Sequence, residues 1–352
     1  MSMTVHQRPG VYSSYDASSA VSGRAAGRTV GLVACHDTVN DGAPRVITSY
    51  EQALSAFGSV QDEDIAELVR LALKNGASAV VVVPIAAEEQ YETAFATLAQ
   101  REDVAVVLCG STSAGTQKLL RDSVEEASSA RRERIGVVGG AKNEAAEALV
   151  ARAAQLNSER MVLVGPGALD RSGSAISGLA LAAAVAGVIA GQSDPAVPLG
   201  GAELLGLRGL AQRYNDGDLD QLILGGVTPV EELGGAVSVV RGVTTRTTTD
   251  GEADATWREL STILVVDDVI PSLRSALRTK FRRAKNTERG RGAIRAQVVL
   301  ELENKLAREI ISGYENVSVT ADSTDPTRCL VDFSFTVAHG LNQIWLTAHI
   351  TV

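Results

Sequence analysis

The sequence predicts an α/β protein: an outer open α/β domain with a largely parallel sheet, then a C-terminal α+β module, with extended arms at both ends. Short apolar runs alternate with helical runs from Thr29 to about residue 190, which indicates a parallel sheet covered on both faces. After Pro195 and Pro198 this alternation gives way to Gly-rich loops and a different unit. The expected division is an arm over 1–26, an outer domain over 27–245, a C-terminal core domain over 246–338 and a terminal strand over 339–352.

The first 26 residues are rich in Ser, Ala and Gly and have no amphipathic period. Pro9-Gly10 is a signal for a turn or for extended chain, and Val11-Tyr12 follows it. This composition is typical of an arm rather than of a folded element.

The outer domain begins with the apolar run Thr29–Ala34. A helix that Asp62 can cap carries apolar residues with helical spacing and ends at Gly76. Val80–Val83 is continuously β-branched and is followed by Pro84, which predicts a buried strand that stops there. The alternation then predicts a helix near 88–100, strand 104–109, helix 115–129, strand 134–138, helix 143–156, strand 161–165 and helix 175–190.

The C-terminal module has a different pattern. A strand expected over 236–241 and a Thr-rich extended piece over 243–249 precede this different unit, which opens with an apolar stretch over 257–273 that contains Pro271. An amphipathic helix over 293–312 precedes strands at 317–320 and 333–337. Together these elements predict an α+β fold.

The chain ends on a long run with a period of two. Its apolar face holds Ile344, Leu346, Ala348, Ile350 and Val352, and no Pro or charge blunts it. An unprotected apolar strand is a liability in a soluble chain, so it either joins its own sheet or is donated to the sheet of another subunit. The pattern alone leaves both possibilities open.

The charge of the chain is unevenly distributed. The net charge of −9 argues against a general nucleic-acid-binding protein, but residues 274–295 carry nine basic residues and one acid, Glu288. This basic segment has a net charge of +8 and leaves −17 for the rest. It is either a solvated surface, a phosphate-contacting patch or a surface for an acidic partner, including another copy of the chain. Its basic residues are Arg274, Arg278, Lys280, Arg282, Arg283, Lys285, Arg289, Arg291 and Arg295.

Composition and the termini indicate a cytosolic product. Cys35, Cys109 and Cys329 are scattered, without paired spacing, and are expected to be reduced, buried thiols. Residues 1–10 lack the apolar core of a secretion signal. The most apolar run, 176–190, is too short to span a membrane and is expected to be a buried helix.

Two glycine-containing turns sit where phosphate-binding loops occur, after a strand and before a helix. In Gly110–Gln117 the places of the Walker A Lys and Ser/Thr are held by Thr116 and Gln117. Gly136–Lys142 also departs from that spacing and from the dinucleotide fingerprint. Both are therefore interpreted as ordinary strand-to-helix turns.

Other acidic and histidine-containing stretches also fall short of an active site. Asp216–Asp220 resembles the start of an EF-hand but lacks its Gly and Glu, and is interpreted as a surface turn. Asp267 is interpreted as a helix cap near Pro271. Cys35-His36-Asp37 would place successive side chains on opposite faces of a strand, which is poor metal geometry. No catalytic residue, cofactor site or metal site is predicted.

Several short motifs, taken in order, make the chain resemble the contractile tail sheath proteins of bacteriophages, R-type bacteriocins and related contractile injection systems. The C-terminal module from Trp257 onward, with Lys280-Phe281, Asn286-Thr287 and the terminal strands, matches best. The other motifs are Arg8-Pro9-Gly10-Val11-Tyr12, Arg28–Ala34, Ile47–Ala53 with Phe57-Gly58, Gly76-Ala77, Leu181–Gly191 with Asp194-Pro195, and Val239–Thr245.

The resemblance implies a structural protein, not an enzyme, without a cofactor. Such subunits form stacked hexameric rings around a tail tube, and the partners are other copies, the tube protein, and baseplate and tail terminator proteins, without nucleic acid or membrane. Assembly in the host cytoplasm would precede incorporation into a virion tail or a released contractile particle. Contraction would use a bistable packing of subunits rather than nucleotide hydrolysis.

The resemblance also implies roles for particular residues. Both arms of such a subunit add strands to a neighbour's C-terminal sheet, and the C-terminal module faces the tube. The linking residues would be Val11, Tyr12, Ile344, Trp345, Leu346, Ala348, Ile350 and Val352. The basic segment would make electrostatic contact with the tube or with a neighbouring subunit. Two alternatives from other classes are a nucleotide-binding α/β enzyme and a nucleic-acid-binding protein that uses residues 274–295.

Overall fold

The computed structural model describes residues 29–58, 63–342 and 345–348. Their larger part forms one mixed sheet with helices on both faces, and the remainder forms a helical pair with a long β-hairpin. The α/β fold and the C-terminal α+β module expected from the sequence are confirmed.

The large sheet has the strand order β2-β3-β1-β4-β5-β6-β7-β8. The inner strands from β3 to β7 are parallel, whereas β2 and β8 pair antiparallel at the two edges. Its inner strands are nearly continuous runs of Val, Ile and Leu because helices cover both of their faces. The strands are β1 Thr29–Cys35, β2 Arg45–Ile47, β3 Ala79–Ile85, β4 Val104–Cys109, β5 Ile135–Gly139, β6 Met161–Gly165, β7 Val227–Leu233 and β8 Ala236–Val239.

The helices divide between the two faces of this sheet. One face carries α1 Tyr50–Phe57, α2 Ile65–Lys74 and α6 Leu179–Gly191. The other carries α3 Tyr91–Ala99, α4 Ala114–Ser129, α5 Ala146–Leu156 and α7 Asp216–Leu224. A 3-10 turn, Glu88–Gln90, precedes α3.

Helix α6 is the most buried element of the outer domain. Its apolar residues face the sheet on one side and α2 on the other, as expected for the run near 176–190. A Cβ built at Gly187 would lie 2.4 Å from the carbonyl oxygen of Ala72, so glycine is required where the two helices approach. The Ala- and Gly-rich sequence of α6 is therefore explained by close helix packing.

The C-terminal module holds a second, smaller core. It consists of the short pair β9 Thr248–Thr249 and β10 Glu252–Ala253, the helices α8 Leu260–Phe281 and α9 Glu288–Ala307, and the hairpin β11 Ile311–Ala321 and β12 Cys329–Val337. Val265, Val269 and Leu273 of α8 meet Val298 and Leu302 of α9 in this core. The first turn of α8 instead packs into the core of the outer domain through Leu260 and Ile263.

The expectation that all three cysteines are buried holds only for Cys109, because Cys35 is exposed and Cys329 is half-buried.

Three interpretations of local structure are also wrong. Strand β3 does not stop at Pro84 but continues to Ile85. On the side of β3 that faces β2, the strand pairing covers only Val80–Val82, so the proline interrupts no hydrogen bond between these two strands. Residues 216–224 form helix α7, which starts with an Asn215–Asp218 capping box, rather than a turn.

The third error concerns Asp267, which is inside α8 and does not cap it. Helix α8 continues through Pro271 because Val265, Val269 and Leu273 are all buried on one side of it. Burial of this apolar stripe outweighs the hydrogen bond that the proline removes. The predicted cap Asp62 lies outside the described residues, and the N-cap of α2 is Asp64.

Candidate assembly surfaces

The hairpin β11–β12 has two open edges. Its strands pair with each other over residues 311–337 and with no other strand in the described part of the chain. Neither strand contains Pro or Lys, the residues that commonly blunt an exposed edge. A two-stranded hairpin gains independent stability when further strands or a helix cover it. The unpaired backbone groups along both edges can therefore accept an added strand.

One face of the hairpin is already covered. Tyr314, Val317, Phe333 and Phe335 pack toward α8 and α9, and the rings of Phe333 and Phe335 lie 6.3 Å apart. The alternate residues of β12, from Leu330 to Thr336, are exposed. The helices thus hold the hairpin in a fixed orientation while its edges remain accessible.

The C-terminal tail leaves the hairpin without forming a strand in its described residues, 338–342 and 345–348. The amide of Ala338 donates to the carbonyl of Ile310 at 3.3 Å, which fixes the start of the tail. Beyond it Leu341 is 74% exposed, Trp345 90% and Leu346 91%, and Ala348 is also exposed. The other predicted linking residues, Val11, Tyr12, Ile344, Ile350 and Val352, lie outside the described residues.

The basic segment, residues 274–295, forms the end of the helical pair α8–α9. Arg274 pairs with Glu133 at 2.8 Å, Lys280 donates to Gln297 and Arg295 donates to the carbonyl of Val317. Arg291 donates to Asn286, whose amide in turn ties the loop to the turn between β11 and β12. The remaining five side chains have no ion pair or side-chain hydrogen bond within the described ranges: Arg278, Arg282, Arg283, Lys285 and Arg289.

Two of the basic residues are placed unfavourably for the stability of helix α9. Arg289 and Arg291 lie in the first turns of α9, after its N-cap Thr287, where the helix dipole disfavours positive charge. Glu288 is the acid of that turn. The dipole of α9 therefore gives no stabilisation to these two charges, although Arg291 contributes through its hydrogen bond to Asn286.

The two turns considered as phosphate loops are filled by the chain's own side chains. The hydroxyl of Ser111 donates to Glu88 at 2.7 Å, and Arg152 donates to the carbonyl of Thr112 at 2.8 Å. In the second turn Glu144 accepts from the amide of Ala141 at 2.6 Å. Each turn therefore already holds a carboxylate, which would repel the negative charge of a bound phosphate.

The remaining candidate chemistry does not form a site. Within the described ranges no cluster of three or more His, Cys, Asp or Glu side chains is arranged to hold a metal ion. His36 accepts a hydrogen bond from the amide of Val39 at 3.0 Å and contacts the carbonyl of Phe57 at 2.9 Å, so it has a local structural role. No helix in the described part of the chain is both long and apolar enough to cross a membrane.

Sequence reasoning missed two of the ion pairs that join the module to the outer domain. Asp267 pairs with Arg160 at 2.8 Å, in addition to the Arg274–Glu133 pair. Burial raises the pKa of Asp267, against the opposing effect of the Arg160 guanidinium. Within the module, Lys305 of α9 pairs with Asp268 of α8. The partners of the two joining pairs are more than 100 residues apart, so no local pattern could reveal them.

Comparison with known proteins shows the same two-part organisation. The model of the phage tail sheath protein central domain matches residues 85–245, and that of the phage tail sheath C-terminal domain matches residues 252–351. Together these matches span well over half of the chain. The tail sheath protein of Bacillus phage SP01 is 32% identical over 257 residues, which are 71% of this chain. The matched region spans 43% of the length of that relative.

Solved structures have the same fold. The helical sheath of the anti-feeding prophage in its contracted state superposes with a TM-score of 0.74 at 15% identity, covering 98% of this chain and 99% of the other. A sheath tail protein from Desulfitobacterium hafniense gives 0.71 at 11% identity, covering 93% and 100%. Both domain models, the sequence relative and the fold agree. The chain belongs to the phage tail sheath family of structural proteins.

Proposed function

We propose that this chain is a structural subunit of a contractile tail sheath. It polymerises as stacked hexameric rings around a tail tube and contracts to drive the tube through a cell envelope. The observation that carries this proposal is the two-stranded sheet β11–β12, which packs against α8 and α9 and is open at both edges in the described part of the chain. Membership of the tail sheath family and the likeness to a sheath in its contracted state support it.

The arms are proposed to link the subunits. A long apolar strand from one copy completes the sheet of the next, which pairs the free backbone groups of the edge and covers the tail's apolar side chains. The linking residues are those expected from the sequence: Val11 and Tyr12 in the N-terminal arm, and Ile344, Trp345, Leu346, Ala348, Ile350 and Val352 in the tail. The described part of the tail is exposed in the single subunit, which is expected for a segment that becomes buried only when it joins a partner.

The basic segment is proposed to contact the tube or a neighbouring subunit. Its five charged side chains that have no partner within the described ranges extend from the end of the helical pair, and the rest of the chain has a net charge of −17. Charge complementarity of this kind fixes register and accelerates association more than it adds affinity. Other copies, the tube, baseplate and tail terminator proteins would be the partners, first in the host cytoplasm and then in the tail or released particle.

Negative-stain electron microscopy of the purified chain tests this proposal. We expect hollow, striated tubes of uniform diameter, because a subunit that completes its neighbour's sheet can propagate helically. Deletion of residues 343–352 should abolish the tubes and leave a folded monomer with an unchanged circular dichroism spectrum. Tubes of normal appearance from the deletion variant would refute strand donation. Dispersed wild-type particles, even after mixing with a tube protein, would overturn the sheath assignment.

A further inference from the structure

A cavity of about 300 Å³ lies beside the C-terminal tail, between the ends of α2 and α6 and the loop that follows α6. Its walls are mainly apolar and include Val188, Val197, Pro198, Leu199 and Ala202. Ligand pockets usually measure about 300–1,000 Å³, so this one is small enough to suit a single large side chain.

The cavity also has one polar group that lacks a partner. Gln192 lines the cavity, and its amide nitrogen donates to the carbonyl of Val197. This bond fixes which end of the amide is the oxygen. The oxygen, Oε1, is buried and accepts no hydrogen bond from any described residue. A side chain that is apolar but carries one donor would complete the cavity.

The tail passes the wall of this cavity. A Cβ built at Gly340 would lie 2.7–2.8 Å from three ring carbons of Pro198, so the backbone of the tail lies directly against that proline. Five residues further on is Trp345, which is 90% exposed. An indole ring has a large apolar body and a single N–H donor, which are the two properties that the cavity requires.

We propose that Trp345 of a second copy of this chain occupies the cavity and that its indole N–H bonds to Oε1 of Gln192. This inference rests on the proposed function, in which the tail is donated to a neighbour. Gly340 is the tail residue that lies against Pro198, so a donated tail leaves that wall, and the same head-to-tail contact brings the Trp345 of another copy to it. Buried Trp side chains in well-packed pockets commonly dominate the energy of an interface.

Cross-linking between two differently labelled copies tests the inference. Cys35→Ser and Cys329→Ser remove the accessible native thiols, since Cys109 is buried. One copy then carries Val197→Cys and a larger tag, and the other carries Thr347→Cys, which keeps Trp345 in place. We expect a short bismaleimide to join the two different copies within polymers. As a matched control, Val46→Cys replaces Val197→Cys, because both valines are 51% exposed, and should give no cross-link.

Two further variants identify the side chain and the cavity. Trp345→Ala should remove the cross-link, and Ala202→Phe, which fills the cavity, should raise the concentration needed for polymers about tenfold. Polymers without the cross-link would overturn this inference and leave the sheath assignment intact. Absence of polymers from the wild-type chain, even after mixing with a tube protein, would overturn both. A cross-link within one chain that carries Val197→Cys and Thr347→Cys, without any between copies, would show that the tail docks on its own subunit and would also overturn the inference.

Discussion

Asp267 and Arg160 form a buried ion pair between the C-terminal module and the outer domain. The two guanidinium nitrogens of Arg160 lie 2.8 and 3.0 Å from the two carboxylate oxygens, and the side chains are only 12% and 15% exposed. Arg160 directly precedes β6, whereas Asp267 is in the middle of α8. This bidentate contact fixes the orientation of α8 against the sheet, and hence the position of the surfaces that α8 carries.

Asp267→Ala should therefore lower the free energy of unfolding by about 3–5 kcal/mol, because it removes the carboxylate that pairs with the buried charge of Arg160. Urea denaturation followed by circular dichroism measures the change. Asp41→Ala is the control, since Asp41 and Arg45 form a much more exposed pair. Its loss should cost at most about 1 kcal/mol. Equal effects of the two substitutions would show that burial does not set the strength of the Asp267 pair.

Arg134 caps the carbonyl end of helix α3, although it lies outside that helix in the sequence. Its side chain is 2% exposed, and its guanidinium donates to the carbonyls of Leu98 and Arg101 at 3.0 Å each. Burial lowers its pKa to about 10, so it stays charged at neutral pH. Arg134→Met should destabilise the protein by about 3–5 kcal/mol, because several buried carbonyls lose their donors.

Thermal and urea denaturation would measure the effect of Arg134→Met. Arg101→Ala offers a matched control, because it removes a nearby guanidinium that pairs with Asp103 at the surface. Its expected cost is at most about 1 kcal/mol. A cost of Arg134→Met as small as that of the control would mean that water replaces the arginine at the helix end.

Replacement of glycine by alanine should change the stability of the protein in opposite directions at Gly139 and Gly292. A Cβ at Gly139 would lie 2.4 Å from the backbone of Gly178, where β5 meets the start of α6. At Gly292, in α9, a Cβ would meet nothing within 4 Å. Gly139→Ala should cost about 1–3 kcal/mol through overpacking, whereas Gly292→Ala should add about 0.5–1 kcal/mol by reducing the freedom of the unfolded chain. Urea midpoints that move in the same direction would contradict this distinction.

The parallel sheet was predictable because its signal is local. The expected strands 104–109 and 161–165 coincide with β4 and β6, since each is a continuous apolar run that follows a charged residue and is ended by a glycine or a proline. Helix ends were less accurate, as in α6, which was expected over 175–190 and runs from Leu179 to Gly191. The predictions were wrong at two prolines, Pro84 and Pro271, where β3 and α8 continue. Tertiary packing decides whether a strand or a helix continues through a proline.

The assembly surfaces were only partly visible in the sequence. Composition identified the basic segment, but its position at the end of the α8–α9 pair depends on contacts such as that of Asn286 with the turn after β11. The cavity beside Pro198 left no pattern, because α2, α6 and a loop build it from distant parts of the chain. Periodicity reports which face of an element is buried and carries no information about which elements meet.

Asp254 should make the free energy of unfolding depend on pH in the acid range. Hydrogen bonds from Thr249 and Thr256 lower its pKa to about 2, below the ordinary value of about 3.9. A lowered pKa means that the unfolded chain binds the proton more tightly. The contribution of Asp254 is therefore complete above about pH 4 and is lost as the pH falls toward 2.

Urea denaturation between about pH 2 and pH 5 can isolate this contribution. The stability difference between the wild type and Asp254→Asn should shrink as the pH falls. Thr249→Val, which removes one donor to Asp254, should shift the loss to higher pH. A difference between wild type and Asp254→Asn that stays constant with pH would show that these hydrogen bonds do not hold the carboxylate ionised.

Charge reversal in the basic segment should weaken assembly without weakening the fold. Arg282 and Arg283 are exposed and have no ion pair within the described ranges, so Arg282→Glu with Arg283→Glu should leave the urea midpoint almost unchanged. Sedimentation should show polymers only at about tenfold higher concentration, because the change repels an acidic partner surface.

The salt dependence of assembly separates a specific contact from the change in net charge. Exposed charges are screened beyond about 10 Å at 0.1 M ionic strength, so polymerisation of the wild type should weaken from about 0.05 to about 0.5 M NaCl. The charge-reversed variant should lose most of that dependence. Arg131→Glu with Lys142→Glu makes the same change in net charge on the outer domain, where both residues are exposed, and should assemble like the wild type. Equal loss of assembly in both double variants would mean that net charge, and not the basic segment, controls polymerisation.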